Sequence, residues 1–163
     1  MAKNKEEKTN VMRVLEQKKI AYTAHTYPHE EGMAVDGVTV AKSMGFDPAI
    51  VFKTLVARGA SKQNYVFDVP VAENLDLKKA AKAVGEKSIE MIHQKELLPL
   101  TGYVHGGCSP VGMKKLFPTV FHSSAENLAA MIVSAGKIGY QVELAPHDLA
   151  ALVRAKFADI IVE

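Results

Sequence analysis

A lysine lies within a stretch of chain that otherwise has the composition of a buried β-strand. Lys53 interrupts the apolar run of residues 50–57. Burying an unpaired ammonium is costly, so its side chain is expected to reach a cleft, an anionic partner or a bound substrate. Because strand residues alternate between faces, Val51, Lys53 and Leu55 should share one face. The alternative is a lysine that runs along a sheet rim and reaches water.

A glycine-rich segment is the second candidate for chemistry. It reads His105-Gly106-Gly107-Cys108-Ser109-Pro110-Val111-Gly112. Glycines lack a Cβ and let backbone N–H groups approach a ligand closely, while the proline fixes the bend. Such a loop can present amides to a carbonyl oxygen or a phosphate. It lacks the Gly-Lys-Ser/Thr of a P-loop and does not fit the dinucleotide fingerprint. A tight surface turn is the alternative.

A third segment, Ser134-Ala135-Gly136-Lys137-Ile138-Gly139, joins two predicted strands. A glycine hairpin is enough to explain it. It becomes a site candidate only if the fold brings Ser134 towards Lys53 and the glycine-rich segment.

Cysteine and histidine side chains suggest two rival chemistries. Cys108 lies three residues from His105, which could lower the thiol pKa and make a thiol hydrolase. His25 and His29 are four residues apart, as in a helical metal pair, but Pro28 excludes an ordinary helix through them.

Caps and periodicity predict the elements that position these residues. Thr9 caps a first helix over residues 11–20, and Asp76 caps a helix over 77–84 that Gly85 ends. Further helices are predicted over 38–44, 93–98 and 146–154. Strands are predicted over 22–27, 50–57, 65–70, 89–91, 119–121, 131–134 and 140–144, with residues 28–37 as a loop that can cover a site. This mixture predicts an α+β fold, a single domain with a curved mixed β-sheet surrounded by helices.

Length, charge and cysteine content limit the class of protein. The 163 residues fit one domain, expected over 9–163 after a flexible tail at 1–8. No apolar run is long enough for a membrane span and no signal peptide is indicated, so a cytoplasmic protein is expected. One cysteine excludes an internal disulfide and a zinc cage of cysteines. A formal net charge of +2 does not indicate a broad nucleic-acid surface.

Seven segments along the chain together resemble a known family. They are His25-Thr26-Tyr27, Val51-Phe52-Lys53-Thr54-Leu55, Leu75-Asp76-Leu77-Lys78-Lys79, Thr101-Gly102-Tyr103, Gly106-Gly107-Cys108-Ser109-Pro110, Val133-Ser134-Ala135-Gly136-Lys137 and Lys156-Phe157-Ala158-Asp159-Ile160. In this order they resemble the YbaK family of aminoacyl-tRNA deacylases, which is related to the editing domain inserted in some prolyl-tRNA synthetases. The resemblance covers nearly the whole chain.

The resemblance implies a freestanding editing enzyme that releases cysteine from mischarged tRNA(Pro), with tRNA(Cys) as a second candidate. It implies no metal, cofactor or enzyme nucleophile, because the substrate's own thiol attacks its ester and leaves a thiolactone and free tRNA. The implied catalytic residues are Lys53, Gly106, Ser109 and Pro110. The implied substrate-binding residues are Tyr27, Thr54, Gly107, Cys108, Ser134, Gly136 and Gly139.

In that scheme the Lys53 ammonium and the loop amides hold the reactive conformer and stabilise developing negative charge. Lys53 can instead bind the phosphate of the terminal adenosine. The implied partners are the acceptor end of aminoacyl-tRNA and, transiently, prolyl-tRNA synthetase. No oligomeric state is indicated.

The chain departs from the family pattern after Ser134. The family tends to read Gly-Gly-Lys-Arg-Gly followed by an acidic residue, whereas this chain has Ile138 in place of the arginine and Gln141 where the acid is expected. Alanine or another small amino acid is therefore a competing substrate. A non-catalytic module that binds tRNA or a synthetase is the remaining alternative, although a docking surface needs neither Lys53 nor the glycine-rich segment.

Overall fold

The computed structural model describes residues 8–30 and 32–163. Its helices are α1 (Asn10–Gln17), α2 (Gly37–Ser43), α3 (Leu77–Val84), α4 (Gln94–Thr101) and α5 (Pro146–Val153), with 3-10 turns at Pro48–Ile50 and Ser123–Asn127. Its strands are β1 (Thr23–Thr26), β2 (Phe52–Gly59), β3 (Asn64–Pro70), β4 (Ile89–Met91), β5 (Thr119–His122), β6 (Met131–Ser134), β7 (Tyr140–Leu144) and β8 (Lys156–Ala158). Within these residues no helix has the length and apolar composition needed to cross a membrane.

Side-chain caps fix where the helices begin. The Thr9 hydroxyl accepts a hydrogen bond from the Met12 amide at 3.3 Å, and the Asp76 carboxylate accepts from two amides at the start of α3. Gly85 ends α3 with a φ of 74°. These two caps and the glycine stop agree with the sequence analysis. The cap of α2 was not predicted: Asp36 accepts from the Thr39 amide at 3.2 Å, and so fixes the end of the preceding loop.

The strands form two sheets. A five-stranded sheet has the order β4-β2-β3-β5-β8, in which β2 and β3 are an antiparallel hairpin while β5 and β8 run parallel to their neighbours. An antiparallel three-stranded sheet has the order β1-β7-β6, and a bridge between Val51 and Ile132 joins the two sheets. The predicted mixed α+β fold is confirmed. The division into two sheets and the three-residue strand β8 were not predicted.

The largest group of buried side chains packs both sheets against α1 and α5. It includes Leu15, Phe52, Val133 and Leu149. The flexible tail expected at residues 1–8 lies outside the described residues except for Lys8, whose ammonium pairs with the Glu16 carboxylate at 2.9 Å.

Candidate functional site

A cavity of about 290 Å³ lies at the start of β2, close to the bridge that joins the two sheets. Its volume is at the lower end of the range for small-molecule sites, roughly 300 to 1,000 Å³. Six of the residues implied by the family resemblance line it: Tyr27, Lys53, Thr54, Gly106, Cys108 and Ser134. The fold therefore brings together the three segments that sequence analysis singled out.

Lys53 is half-buried in the wall of this cavity. Among the described residues its ammonium makes no hydrogen bond, and no carboxylate lies within 4.0 Å of its Nζ. Desolvation lowers the pKa of Lys53, and the more distant Glu73 carboxylate acts in the opposite direction. An anion or a developing oxyanion in the cavity would give this ammonium a charged partner at contact distance.

The alternation expected along β2 matches the packing. Leu55 packs against the buried cluster that contains Phe67 and Val69, whereas Phe52 and Val56 belong to the largest core cluster. Lys53 is on the Leu55 face and Thr54 is on the Phe52 face. Both residues line the cavity because it lies at the beginning of the strand.

Only part of the glycine-rich segment lines the cavity. Gly106 has a φ of 90°, and a Cβ there would lie 2.7 Å from the Cβ of Ala34 in the loop before α2. Gly107 packs against backbone atoms of Lys137 and Ile138, and its amide donates to the Val104 carbonyl at 2.9 Å. Gly106 lines the cavity. Gly107 instead packs its own loop against the loop that contains Lys137.

Two other members of the segment lie behind the cavity wall. Ser109 is completely buried, and its hydroxyl accepts a hydrogen bond from the Val111 amide at 3.2 Å. Pro110 is also buried. Neither is among the lining residues, so the catalytic role implied for them by the resemblance would have to be indirect, through the shape of the loop.

The hairpin between β6 and β7 separates Ser134 from the two glycines that follow it. Ser134 lines the cavity and accepts a hydrogen bond from the Gly136 amide at 3.1 Å. Gly136 has a φ of 93° and faces Tyr103, while Gly139 has a φ of 97° and a Cβ there would lie 2.2 Å from the His29 ring. Both glycines lie outside the lining, and their positive φ angles are those that the turn between β6 and β7 requires.

Gln141 is a further residue of the cavity wall. On β7 it is in register with Ser134 of β6 and with His25 of β1. It lines the cavity, but its Oε1 is buried and has no hydrogen-bond partner among the described residues. A neutral side chain therefore forms this part of the cavity wall.

The geometry opposes the two rival chemistries. Burial raises the pKa of Cys108 to about 12, with a smaller contribution from the Asp68 carboxylate, so the thiol stays protonated at neutral pH. His105 lines the same cavity but makes no hydrogen bond to Cys108 in the described part of the chain. His25 instead contacts Glu143 at 2.7 Å, and residues 8–30 and 32–163 contain no group of three or more His, Cys, Asp or Glu side chains placed for a metal.

Several residues of the site were not named from the sequence. Asp36 and Gly37 belong to the loop over residues 28–37 that was expected to cover a site, whereas Val40 of α2 and Leu97 of α4 carry no local signal. Asp68 had one, because it interrupts the apolar strand β3 just as Lys53 interrupts β2. It is fully buried next to Thr54.

These features define a mixed α/β protein with a lysine-bearing pocket between two sheets. The sequence profile of the aminoacyl-tRNA editing domain family matches residues 29–152. The chain is 46% identical over 161 residues, 98% of each chain, to an Enterococcus faecalis protein named "Putative Cys-tRNA(Pro)/Cys-tRNA(Cys) deacylase EbsC". The chain therefore belongs to the aminoacyl-tRNA editing domain family, whose members act on aminoacyl-tRNA, and the resemblance to YbaK deacylases is confirmed.

Solved structures share the fold. The crystal structure of "a putative trans-editing enzyme for prolyl tRNA synthetase" superposes with a TM-score of 0.79 at 24% identity, over 94% of this chain and 95% of that one. The hypothetical protein APE2540 superposes with a TM-score of 0.82 at 18% identity, over 93% and 99% of the two chains.

Proposed function

We propose that this protein is a freestanding deacylase that releases cysteine from mischarged tRNA(Pro), with tRNA(Cys) as a second substrate. The observation that carries the proposal is Lys53, an ammonium without a contact partner in a small cavity beside Thr54, Gly106 and Ser134. A deacylase for these two cysteinyl-tRNAs is also what the name of the relative in Enterococcus faecalis describes. Membership of the editing family supports the same chemistry.

In the proposed reaction the protein has two tasks, which are to hold the substrate in its reactive conformation and to stabilise negative charge. The sulfur of the substrate cysteine attacks its own ester carbonyl, a C–S bond forms, and the bond to the 3′ oxygen of the tRNA breaks. The products are a thiolactone and free tRNA, with the thiol proton passing to a base and a proton returning to the 3′ oxygen. Lys53 stabilises the negative charge that develops on the carbonyl oxygen, or holds the adenosine phosphate, and the cavity holds the reactive conformer.

Gln141 favours a second candidate substrate. A neutral amide at this position cannot form an ion pair with the substrate ammonium, so selection among small amino acids rests on the shape of the cavity. Alanyl-tRNA(Pro) is therefore the competing substrate; because alanine has no thiol, water attacks its ester carbonyl, the bond to the 3′ oxygen breaks, and the products are free alanine and free tRNA.

The proposal also covers where the enzyme acts and what gives it affinity for tRNA. Residues 9–163 act as one editing domain in the cytoplasm, where tRNA is charged. The formal net charge of +2 is small, so recruitment by prolyl-tRNA synthetase or tight contact with the acceptor end supplies affinity for tRNA.

A panel of aminoacyl-tRNAs tests the function. Cysteine, S-methylcysteine, alanine and proline, each esterified to tRNA(Pro), are incubated with the wild-type protein, and the released products are identified by mass spectrometry. Release of cysteine as a thiolactone, with S-methylcysteine retained, is the expected result. Release of alanine at the same rate would support the second candidate, and release of none of the four faster than in buffer would leave only a binding module.

A further inference from the structure

Asp68 is a buried carboxyl group that has no role in the deacylation proposed for Lys53 and the cavity. It lies in the middle of β3, its exposed fraction is 0%, and its neighbours along the strand are Phe67 and Val69. An ionisable group in such surroundings is costly to keep and is frequently functional.

The contacts of Asp68 lead to the cavity through one side chain. Thr54 on β2 is its register partner, and the Thr54 hydroxyl donates to Oδ1 of Asp68 at 2.5 Å. Oδ2 is buried and has no hydrogen-bond partner among the described residues. Thr54 lines the cavity, whereas Asp68 lies behind it. The hydroxyl therefore connects the carboxyl group to the space where a substrate would bind.

The groups that face Asp68 do not neutralise it. Its partners across the sheet are Thr54 on β2 and Phe121 on β5, both uncharged, and the ionisable group facing it from the glycine-rich segment is the Cys108 thiol. Lys53 points to the opposite face of β2. Burial therefore dominates and raises the pKa of Asp68 to about 7, while the hydrogen bond from Thr54 acts the other way.

The direction of the hydrogen bond matters for a substrate. Because the Thr54 proton is committed to Asp68, the lone pairs of the Thr54 oxygen are left to accept a hydrogen bond from the cavity side. A substrate thiol is such a donor. The pKa of a cysteine thiol is roughly 8.5, within about two units of the pKa of Asp68. Proton transfer from the thiol to the Asp68 carboxylate therefore costs little free energy.

We propose that Asp68 is a positioning residue that accepts the substrate thiol proton through Thr54; this rests on the proposed function. The thiol proton passes to the Thr54 oxygen as the proton of Thr54 passes to Oδ1 of Asp68. The sulfur electron pair forms the C–S bond, the ester C–O bond breaks, and water supplies a proton to the 3′ oxygen. Asp68 then returns its proton to solvent by the reverse path.

The test is the pH profile of single-turnover release of cysteine from tRNA(Pro), corrected for the rate in buffer. For the wild type, we expect the rate to rise with pH and level off above about pH 7. Asp68→Asn keeps the shape of the side chain but removes the proton acceptor. We expect this variant to release cysteine about 100-fold more slowly at neutral pH, with no inflection in its pH profile. Thr54→Val should behave in the same way, and Thr54→Ser, which keeps the hydroxyl, should keep the inflection. Glu126→Gln, at an exposed carboxylate outside the cavity, is the matched control.

The outcomes separate this inference from the function on which it rests. If the wild type releases cysteine and Asp68→Asn has the same pH profile, or a lower rate with the inflection preserved, the proton-acceptor role is wrong and the deacylase stands. If Asp68→Asn does not fold, the wild-type profile decides, because a profile without an inflection between about pH 6 and 8 overturns the proposal. If the wild type releases nothing, both fail.

Discussion

The buried carboxyl of Asp68 should make the stability of the protein depend on pH in a direction opposite to that of an ordinary acidic group. The carboxyl ionises at 3.8 when exposed and at about 7 in the folded protein. Between these values the unfolded chain releases a proton that the folded chain keeps, so the folded state loses stability as the pH rises from about 4 to about 7. At about 1.4 kcal/mol per pH unit, the full loss is about 4 kcal/mol.

Asp68→Asn removes this dependence. The amide oxygen can still accept the hydrogen bond from Thr54, and the NH₂ replaces an oxygen that has no partner, which adds a cost that does not vary with pH. Relative to the wild type, the variant should therefore gain about 3 kcal/mol in free energy of unfolding between about pH 5 and about pH 8.

Urea unfolding followed by circular dichroism measures this difference, provided that the m-values of the two proteins agree. Glu126→Gln, measured in parallel, reports the effect of removing an exposed carboxylate. A stability difference between Asp68→Asn and the wild type that is the same at both pH values would refute the assignment of Asp68 as a buried, near-neutral acid. The result does not depend on any activity.

Three further substitutions test other parts of the site. Cys108→Ala should keep deacylation within about threefold, because burial raises the pKa of the thiol to about 12 and the proposed reaction does not use it; a loss of all turnover would restore the thiol hydrolase. Gly139→Ala should lower the free energy of unfolding by about 1 to 3 kcal/mol, because its φ is 97° and its Cβ would meet the His29 ring; an unchanged melting temperature would contradict this. Asp36→Ala removes the cap of α2 and should lower the melting temperature and raise KM, since the first residues of α2 line the cavity; thermal unfolding and steady-state kinetics measure the two effects, and no change in either would contradict it.

Local signals were sufficient for most elements and for part of the site. The caps at Thr9 and Asp76, the hairpin of β2 and β3, and the anomaly of Lys53 could be predicted because each depends on neighbouring residues. The cavity depends on pairings across long stretches of chain, such as Val51 with Ile132 and His25 with Gln141, which no local pattern contains.

The sequence could not distinguish the glycines that line the cavity from those that do not. A glycine needed for a turn or for close packing looks the same in the sequence as one that leaves room for a ligand. In the fold, Gly106 lines the cavity, while Gly107 packs against the next loop and Gly136 against Tyr103. Asp68 was not predicted although it interrupts an apolar strand as Lys53 does, because it lies outside the segments that carry the family resemblance.

The role of Lys53 is tested most directly by single-turnover release of cysteine from mischarged tRNA(Pro). Lys53→Ala is compared with the wild type and with Lys82→Ala, which removes an exposed lysine on α3 outside the cavity. We expect Lys53→Ala to slow release by about 100- to 1,000-fold while its thermal stability is maintained, because it removes a preorganised charge at the reacting ester. Lys82→Ala should match the wild type. Release by Lys53→Ala at the wild-type rate would contradict the central claim that this lysine is the positive group of an aminoacyl-ester pocket.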